Sequence, residues 1–152
     1  MSIKKPQFKP NTTVAAIIER NGKFLLVEET TDRGNRFNQP AGHLEDNESL
    51  INAVIRETME ETAYEFTPVS LLGVYLWKHD FNEITYLRFA FIGVVGVHYP
   101  TQELDTGILR AVWMTIEEIR TKASLMRSPQ VLMCIEDYLS GKRYPLEVLT
   151  NL

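Results

Sequence analysis

Three carboxylates, Glu57, Glu60 and Glu61, stand three and four residues apart, so on a helix they share one face. If that helix starts near Asn47, Glu57 and Glu61 continue the stripe of Leu50, Ala53 and Val54, which is the apolar stripe that should face the core. Unpaired carboxylates cost on the order of several kcal/mol each when buried, and Arg56 alone cannot neutralise three. A divalent cation can, since clustered carboxylates with a carbonyl and waters form the hard oxygen environment that Mg2+ prefers. The competing explanation is a solvated Glu-rich face with ordinary helical spacing.

The stretch from Pro40 to Tyr64 resembles the Nudix box: Gly, five residues, Glu, seven residues, Arg-Glu, an aliphatic, any residue, Glu-Glu, any residue, Gly, an aliphatic. Gly42, Glu48, Arg56, Glu57, Glu60 and Glu61 supply its fixed positions. The departures are Thr58 and Tyr64 at the aliphatic positions and Ala63 at the second Gly. A Gly there suits a left-handed helix C-cap, where a Cβ costs on the order of 1 kcal/mol. The resemblance implies a Nudix-type α/β/α sandwich around a mixed β-sheet. It also implies Mg2+, with Mn2+ as the alternative, held by Glu57, Glu61 and the Gly42 carbonyl. Glu60 is then a further ligand or base, and Glu48 pairs with Arg56 so that Arg56 orients a ligating carboxylate. Members of the family often take another carboxylate from a loop outside the box. Glu103 and Asp105 are available for that, and the shorter Asp105 is preferred. His43 is read as a packed or loop residue.

A second resemblance, to a bacterial phosphatase of the same family, covers nearly the whole chain. It rests on the Gly22–Thr30 strand, Asn38-Gln39-Pro40-Ala41-Gly42-His43-Leu44-Glu45, Leu125-Met126-Arg127-Ser128-Pro129 and Ser140 to Glu147. It implies release of orthophosphate from nucleoside tri- and diphosphates, and from the pyrophosphates of thiamine and its hydroxymethylpyrimidine precursor. Alternatives are a relative that releases pyrophosphate or a mononucleotide, an isomerase, and a non-hydrolytic nucleotide-binding module, although such modules commonly lose box carboxylates. A structural domain whose acidic helix binds a basic partner is the remaining reading.

Several elements must position these residues. Thr13 to Glu19 and Lys23 to Glu29 read as strands joined at Asn21-Gly22, a hairpin signal because both residues tolerate positive φ. Val14 to Ile18 is continuously apolar, as in a strand covered on both faces. Thr31 to Asn38 reads as a polar loop in which Arg33 or Arg36 could meet phosphate, and Phe37 could stack or pack. Asp46 or Asn47 is the expected helix cap. Pro68 marks a break, and Leu71 to Lys78 and Tyr86 to Val95 are strands. Tyr75, Trp77 and Arg88 on them could grip a ring and a phosphate, against a default of core packing and a satisfied surface arginine. Ala111 to Met114 is a short strand, Thr115 to Glu118 a capping box, and Ser128-Pro129 a second helix start.

The 152 residues fit one domain, 1–152. A single cysteine, Cys134, precludes an internal disulfide and fits a reducing compartment. The chain's start has no apolar run behind its lysines, and no stretch approaches ~18 apolar residues, so neither a secretory signal nor a membrane span is expected. A net charge of -4 argues against sustained binding to DNA or RNA, but not against a nucleotide. The expectation is a cytoplasmic monomer whose partner is a small phosphorylated substrate.

Overall fold

The computed structural model describes residues 3–152. The continuous apolar run lies in β1 (Asn11–Ile17), and Val14, Ala15, Ala16, Ile17 and Ile18 are all buried. Its side chains alternate between two cores. Val14, Ala16 and Ile18 pack with Ala53 and Val54 of α1 (Leu50–Thr62), while Ile17 packs with Val131 and Ile135 of α3 (Pro129–Leu139). Helices on both faces therefore explain why the strand lacks polar alternation.

The remaining elements are β2 (Glu19–Arg20), β3 (Lys23–Thr31), β4 (Gly34–Asn38), β5 (Ala41–His43), β6 (Tyr64–Lys78), β7 (Thr85–His98), β8 (Ile108–Thr115) and α2 (Ile116–Thr121). Asn21 and Gly22, at φ 52° and 76°, close the β2–β3 hairpin with the left-handed pair its turn requires. One sheet runs β5-β1-β7-β6 and is mixed, because β1 and β7 are parallel while the other pairs are antiparallel. The other is antiparallel, β2-β3-β4 with β8 on the free side of β3. The sandwich is the expected one, with its strands divided between two sheets.

Local differences from the sequence reading have identifiable causes. Helix α1 begins at Leu50 and its cap is Ser49, whose Oγ accepts the Asn52 N–H at 3.0 Å. Asn47 cannot serve as cap because its φ is 63°, whereas an N-cap needs extended backbone. The Thr31–Asn38 stretch is not a loop. It turns at Asp32-Arg33 and returns as β4, and Phe37 is buried in the core. Pro68 interrupts the β6–β7 ladder without ending β6, since an edge strand tolerates a missing donor at a bulge. Thr115 caps α2 by accepting the Glu118 N–H at 3.2 Å. Ser128 precedes Pro129 as expected but makes no side-chain capping bond. In α3 the buried positions include Cys134, while Leu139 is exposed.

Ala63 occupies the left-handed C-cap of α1 at φ 59°, with its N–H on the Met59 carbonyl at 2.9 Å. Replacing it by Gly relieves about 1–2 kcal/mol of backbone strain. The same change loses about 0.8 kcal/mol from a buried methyl and roughly 0.5–1 kcal/mol of chain entropy. Ala63→Gly is therefore expected to unfold in urea within about 0.5 kcal/mol of the parent. A loss above about 2 kcal/mol would show that methyl packing, not strain, dominates at this position.

Candidate active site

Helix α1 turns about 100° per residue, which places Glu57 and Glu61 on the buried side and Glu60 to one side of them. Glu57 and Glu61 are only 8% and 7% exposed. Glu60 lies at the rim with its side chain 41% exposed, so the expected trio is an inward pair with one outlying member. The pair lies against β5, an edge strand. A Cβ on Gly42 would lie 2.0 Å from the Glu57 carboxyl carbon, so only glycine lets that carboxylate rest on the strand.

The carbonyl that points out of the ladder beside the carboxylates is not that of Gly42, the residue expected to supply one, but that of its neighbour. Ala16 N–H donates to the Pro40 carbonyl and Leu44 N–H to the Thr12 carbonyl, which makes Val14–Gly42 the hydrogen-bonded pair between them. Gly42's carbonyl therefore points into the β1 ladder. Ala41 and His43 point their polar groups outward: Ala41 N–H donates to Glu61 Oε1 at 2.9 Å, and the His43 carbonyl accepts from Arg56 at 3.1 Å. The free carbonyl on the carboxylate side is that of Ala41, one residue from the expected position.

Arg56 donates to both oxygens of Glu48, at 2.7 and 2.9 Å, to Glu57 Oε1 at 2.8 Å and to Glu60 Oε2 at 3.2 Å. This fork fastens the loop before the helix, strand β5 and the carboxylate Glu57 to one another. The guanidinium also holds the Glu48 carboxyl below the usual range.

The loop after β7 is docked by carbonyls at the end of α1: those of Glu60 and Ala63, which the helix terminus leaves unpaired, and that of Met59, which also accepts the Ala63 N–H. Tyr99 N–H meets Ala63 O at 2.8 Å, Gln102 Nε2 meets Met59 O at 3.0 Å, and Asp105 N–H meets Glu60 O at 2.9 Å. Asp105 thereby faces the same cavity as Glu57 and Glu61, whereas Glu103 does not line it.

Glu29 on β3 joins the site although the spacing of the helix carboxylates does not point to it. It is 8% exposed and lines the cavity. Arg127 Nη1 approaches its Oε1 at 2.7 Å, off the hydrogen-bonding direction, so that oxygen has a charge partner and no hydrogen bond.

Burial pushes the Glu61 carboxyl up to about 8, reinforced by Glu29, Glu57 and Asp105 and opposed by the Ala41 N–H. Glu57 is also raised, again chiefly by burial. Among the described residues no three acidic, histidine or cysteine side chains close on one point. One oxygen each of Glu57 and Glu61 is already held, by Arg56 and by Ala41 N–H. The second oxygens and the Ala41 carbonyl are hard donors of the kind that Mg2+ takes, with waters to complete its shell. The like charges around Glu61 are what such a cation would relieve.

A pH dependence follows. Glu61 binds its proton more tightly folded than unfolded, so its contribution to stability is fully present below about 4.5 and is lost as pH rises to about 8. That loss is on the order of 4 kcal/mol in chelator-treated protein. Melting curves in EDTA should fall steadily across this window, and excess Mg2+ should raise the midpoint far more at pH 8 than at pH 5. A flat EDTA profile would refute the burial of an ionising Glu61.

The cavity, about 1150 Å³, opens over the mixed sheet. Register places His43, Thr13, Arg88 and Tyr75 in one row across its four strands. Arg88 is 5% exposed rather than a surface residue. It donates to Gln39 Oε1 at 2.8 Å and Asn38 Oδ1 at 3.0 Å, and no carboxylate lies within ion-pair distance of it among the described residues. Gln39 is itself fixed by donating to the Val131 carbonyl at 2.8 Å. Arg33 and Arg127 line the same cavity. Arg36 lies instead in an adjoining one of about 580 Å³, away from the carboxylates.

The fold and this carboxylate-lined helix define a Nudix hydrolase, and the chain belongs to that family: residues 8–132 match the NUDIX domain. It is 43% identical to Phosphatase NudJ of Shigella boydii over 142 residues, covering 93% of this chain and 92% of the relative. The Escherichia coli Phosphatase NudJ is 42% identical over the same shares. A NUDIX hydrolase from Nitrosomonas europaea, of known structure, is 52% identical and superposes with a TM-score of 0.93 over 95% of this chain and 98% of its own.

Proposed function

We propose that this Nudix hydrolase is a Mg2+-dependent phosphatase that cleaves the terminal phosphoanhydride of nucleoside tri- and diphosphates, and of thiamine and hydroxymethylpyrimidine pyrophosphates, releasing orthophosphate. The observation that carries the reading is the buried pair Glu57 and Glu61 beside the outward Ala41 carbonyl, with a buried Arg88 that meets no carboxylate among the described residues across the same cavity. The likeness to Phosphatase NudJ supports a phosphatase over a pyrophosphate-releasing relative. Residues 1–152 are taken as one catalytic domain, acting as a cytoplasmic monomer on a small phosphorylated substrate.

In this reading Glu57, Glu61 and the Ala41 carbonyl would hold Mg2+, or Mn2+ in its place, with Asp105 facing them and Glu60 outside. When bound, the cation screens the phosphate oxygens and lowers the pKa of a coordinated water. Arg56 fixes the Glu57 carboxylate in the orientation its role requires. Of the cavity carboxylates held by neither Arg56 nor the Ala41 N–H, Asp105 and Glu29 are the ones whose charges act on Glu61, so the proton lost by the attacking water would pass to one of them. Arg88 holds the phosphate that stays on the leaving group and supplies positive charge as that oxygen becomes negative.

The test is incubation with nucleoside di- and triphosphates and thiamine pyrophosphate, with and without Mg2+, scoring orthophosphate and pyrophosphate separately. Orthophosphate from diphosphates, only with Mg2+, is expected. Pyrophosphate from triphosphates alone would move the assignment to a different cleavage position.

A further inference from the structure

We infer that the aromatic tip of the β6–β7 hairpin, Trp77, His79 and Phe81 with Tyr86, is a ring-binding subsite that restricts the substrate to a planar heterocycle carried close to its phosphates. This deepens the phosphatase reading and rests on it for the placement of the phosphates.

The argument begins with the sheet face. One row toward the strand ends from Arg88, register pairs Tyr86 with Trp77, and their rings stack at 5.9 Å and 20°. Two residues along a strand span about 7 Å, so these rings lie about 7 Å beyond the backbone of Arg88. Across the strands, at right angles to that step, Arg88 is two strand spacings, about 10 Å, from His43, the neighbour of Gly42. The cavity therefore presents carboxylates, then a buried guanidinium, then aromatic rings. A diphosphate followed by a ring has the same order and scale.

The far end is built to hold rings outward. His79 N–H closes the hairpin on the Ile84 carbonyl at 2.9 Å, and His79 Nδ1 accepts the Phe81 N–H at 3.1 Å. The imidazole thus fixes the tip while lying 5.0 Å from Trp77 and 5.9 Å from Phe81. Phe81 is 82% exposed, although it lines the same cavity as Glu57 and Arg88. Trp77, His79 and Phe81 also line the adjoining cavity, so they stand as a partition with open space on both sides. A phenyl ring held in water by an ordered turn gains contact area when a flat ligand covers it, and stacking of this kind tolerates different rings. Beside Arg88 in the same cavity, Asn38 has its Oδ1 committed to Arg88, which leaves its amide N–H groups to meet acceptors on the ligand.

Two ligand sources share this chemistry: nucleotides, and heterocycles joined to phosphate through a short carbon link. The test uses monophosphates without divalent cation, so that no turnover is involved. Nucleoside monophosphates, thiamine monophosphate and ribose 5-phosphate are titrated against the intact protein by calorimetry and by quenching of Trp77 fluorescence, with Trp77→Phe as the control for the signal. The heterocyclic monophosphates should bind at least about tenfold more tightly than ribose 5-phosphate, and Phe81→Ala should remove about that advantage. Preference between the two heterocyclic sets identifies the source. Equal binding of ribose 5-phosphate, no binding by any heterocyclic monophosphate, or indifference to Phe81→Ala each overturns the subsite. Failure of the phosphatase reading appears separately, as heterocycle binding in this assay with no orthophosphate from the di- and triphosphates.

Discussion

Glu61→Gln protein is expected to fold, to melt higher than the parent when metal-free at pH 8, and to lose turnover by about 100- to 1000-fold. The Gln side chain keeps an oxygen for the Ala41 N–H that Glu61 accepts at 2.9 Å, so strand β5 stays fastened to α1. What disappears is a carboxylate whose proton is retained to about 8 because it is buried among Glu29, Glu57 and Asp105. Stability therefore rises where the parent would have to ionise that group, and the gain fades below about pH 4.5. The increase in melting temperature on adding Mg2+ should shrink with the activity, since both depend on the same oxygens. Orthophosphate release at saturating Mg2+, set beside paired melts in EDTA and Mg2+, checks both halves. Near-parental turnover by this variant would remove Glu61 from the cation site.

The chemistry-bearing stretch was legible because its spacing is that of a single helix: Glu57 and Glu61 point inward as the apolar stripe requires, and Arg56 reaches Glu48. What depended on contacts between elements was less so. The choice of Ala41 over Gly42 for the outward carbonyl is made by the register of β5 on β1, and shifting a strand by one residue exchanges every group between ladder and edge. Adjacent Glu28 and Glu29 lie on one strand, so alternation sends one of them inward. Which one is settled by the pairing of Glu28 with Arg110 and by the bulge between the two residues. Asp46, Asn47 and Ser49 are all capping types, and only the left-handed turn at Asn47 leaves the cap to Ser49. The Thr31–Asn38 stretch reads as a loop because its strand is half exposed and polar, with Phe37 as its only large apolar anchor. Arg88 carried the opposite difficulty: a charged residue in an apolar strand reads as surface, yet Gln39 and Asn38, far away in sequence, supply buried acceptors for it.

Gly42→Ala should disable the enzyme nearly as thoroughly as losing the Glu57 carboxylate, and for the same reason. The added Cβ would lie 2.0 Å from the Glu57 carboxyl carbon and 2.2 and 2.3 Å from its oxygens. The obstacle is the end of a flexible side chain, not backbone, so the strand can stay in place while Glu57 swings away. The fold is then kept at a cost of about 1–2 kcal/mol, within the range for overpacking. Glu57 would lose its place beside the Ala41 carbonyl, and its 2.8 Å bond to Arg56 Nη1 would break or stretch. Turnover should fall by about 100-fold or more, as when an oriented charge leaves a reacting centre. Because both changes act on one carboxylate, their effects should not add. In a cycle of kcat/KM over the parent, Gly42→Ala, Glu57→Gln and the double variant, the double variant should be no slower than the slower single one. Losses that multiply would mean that Gly42 serves the reaction by a route independent of Glu57, and the close approach of strand to carboxylate would then have no part in catalysis.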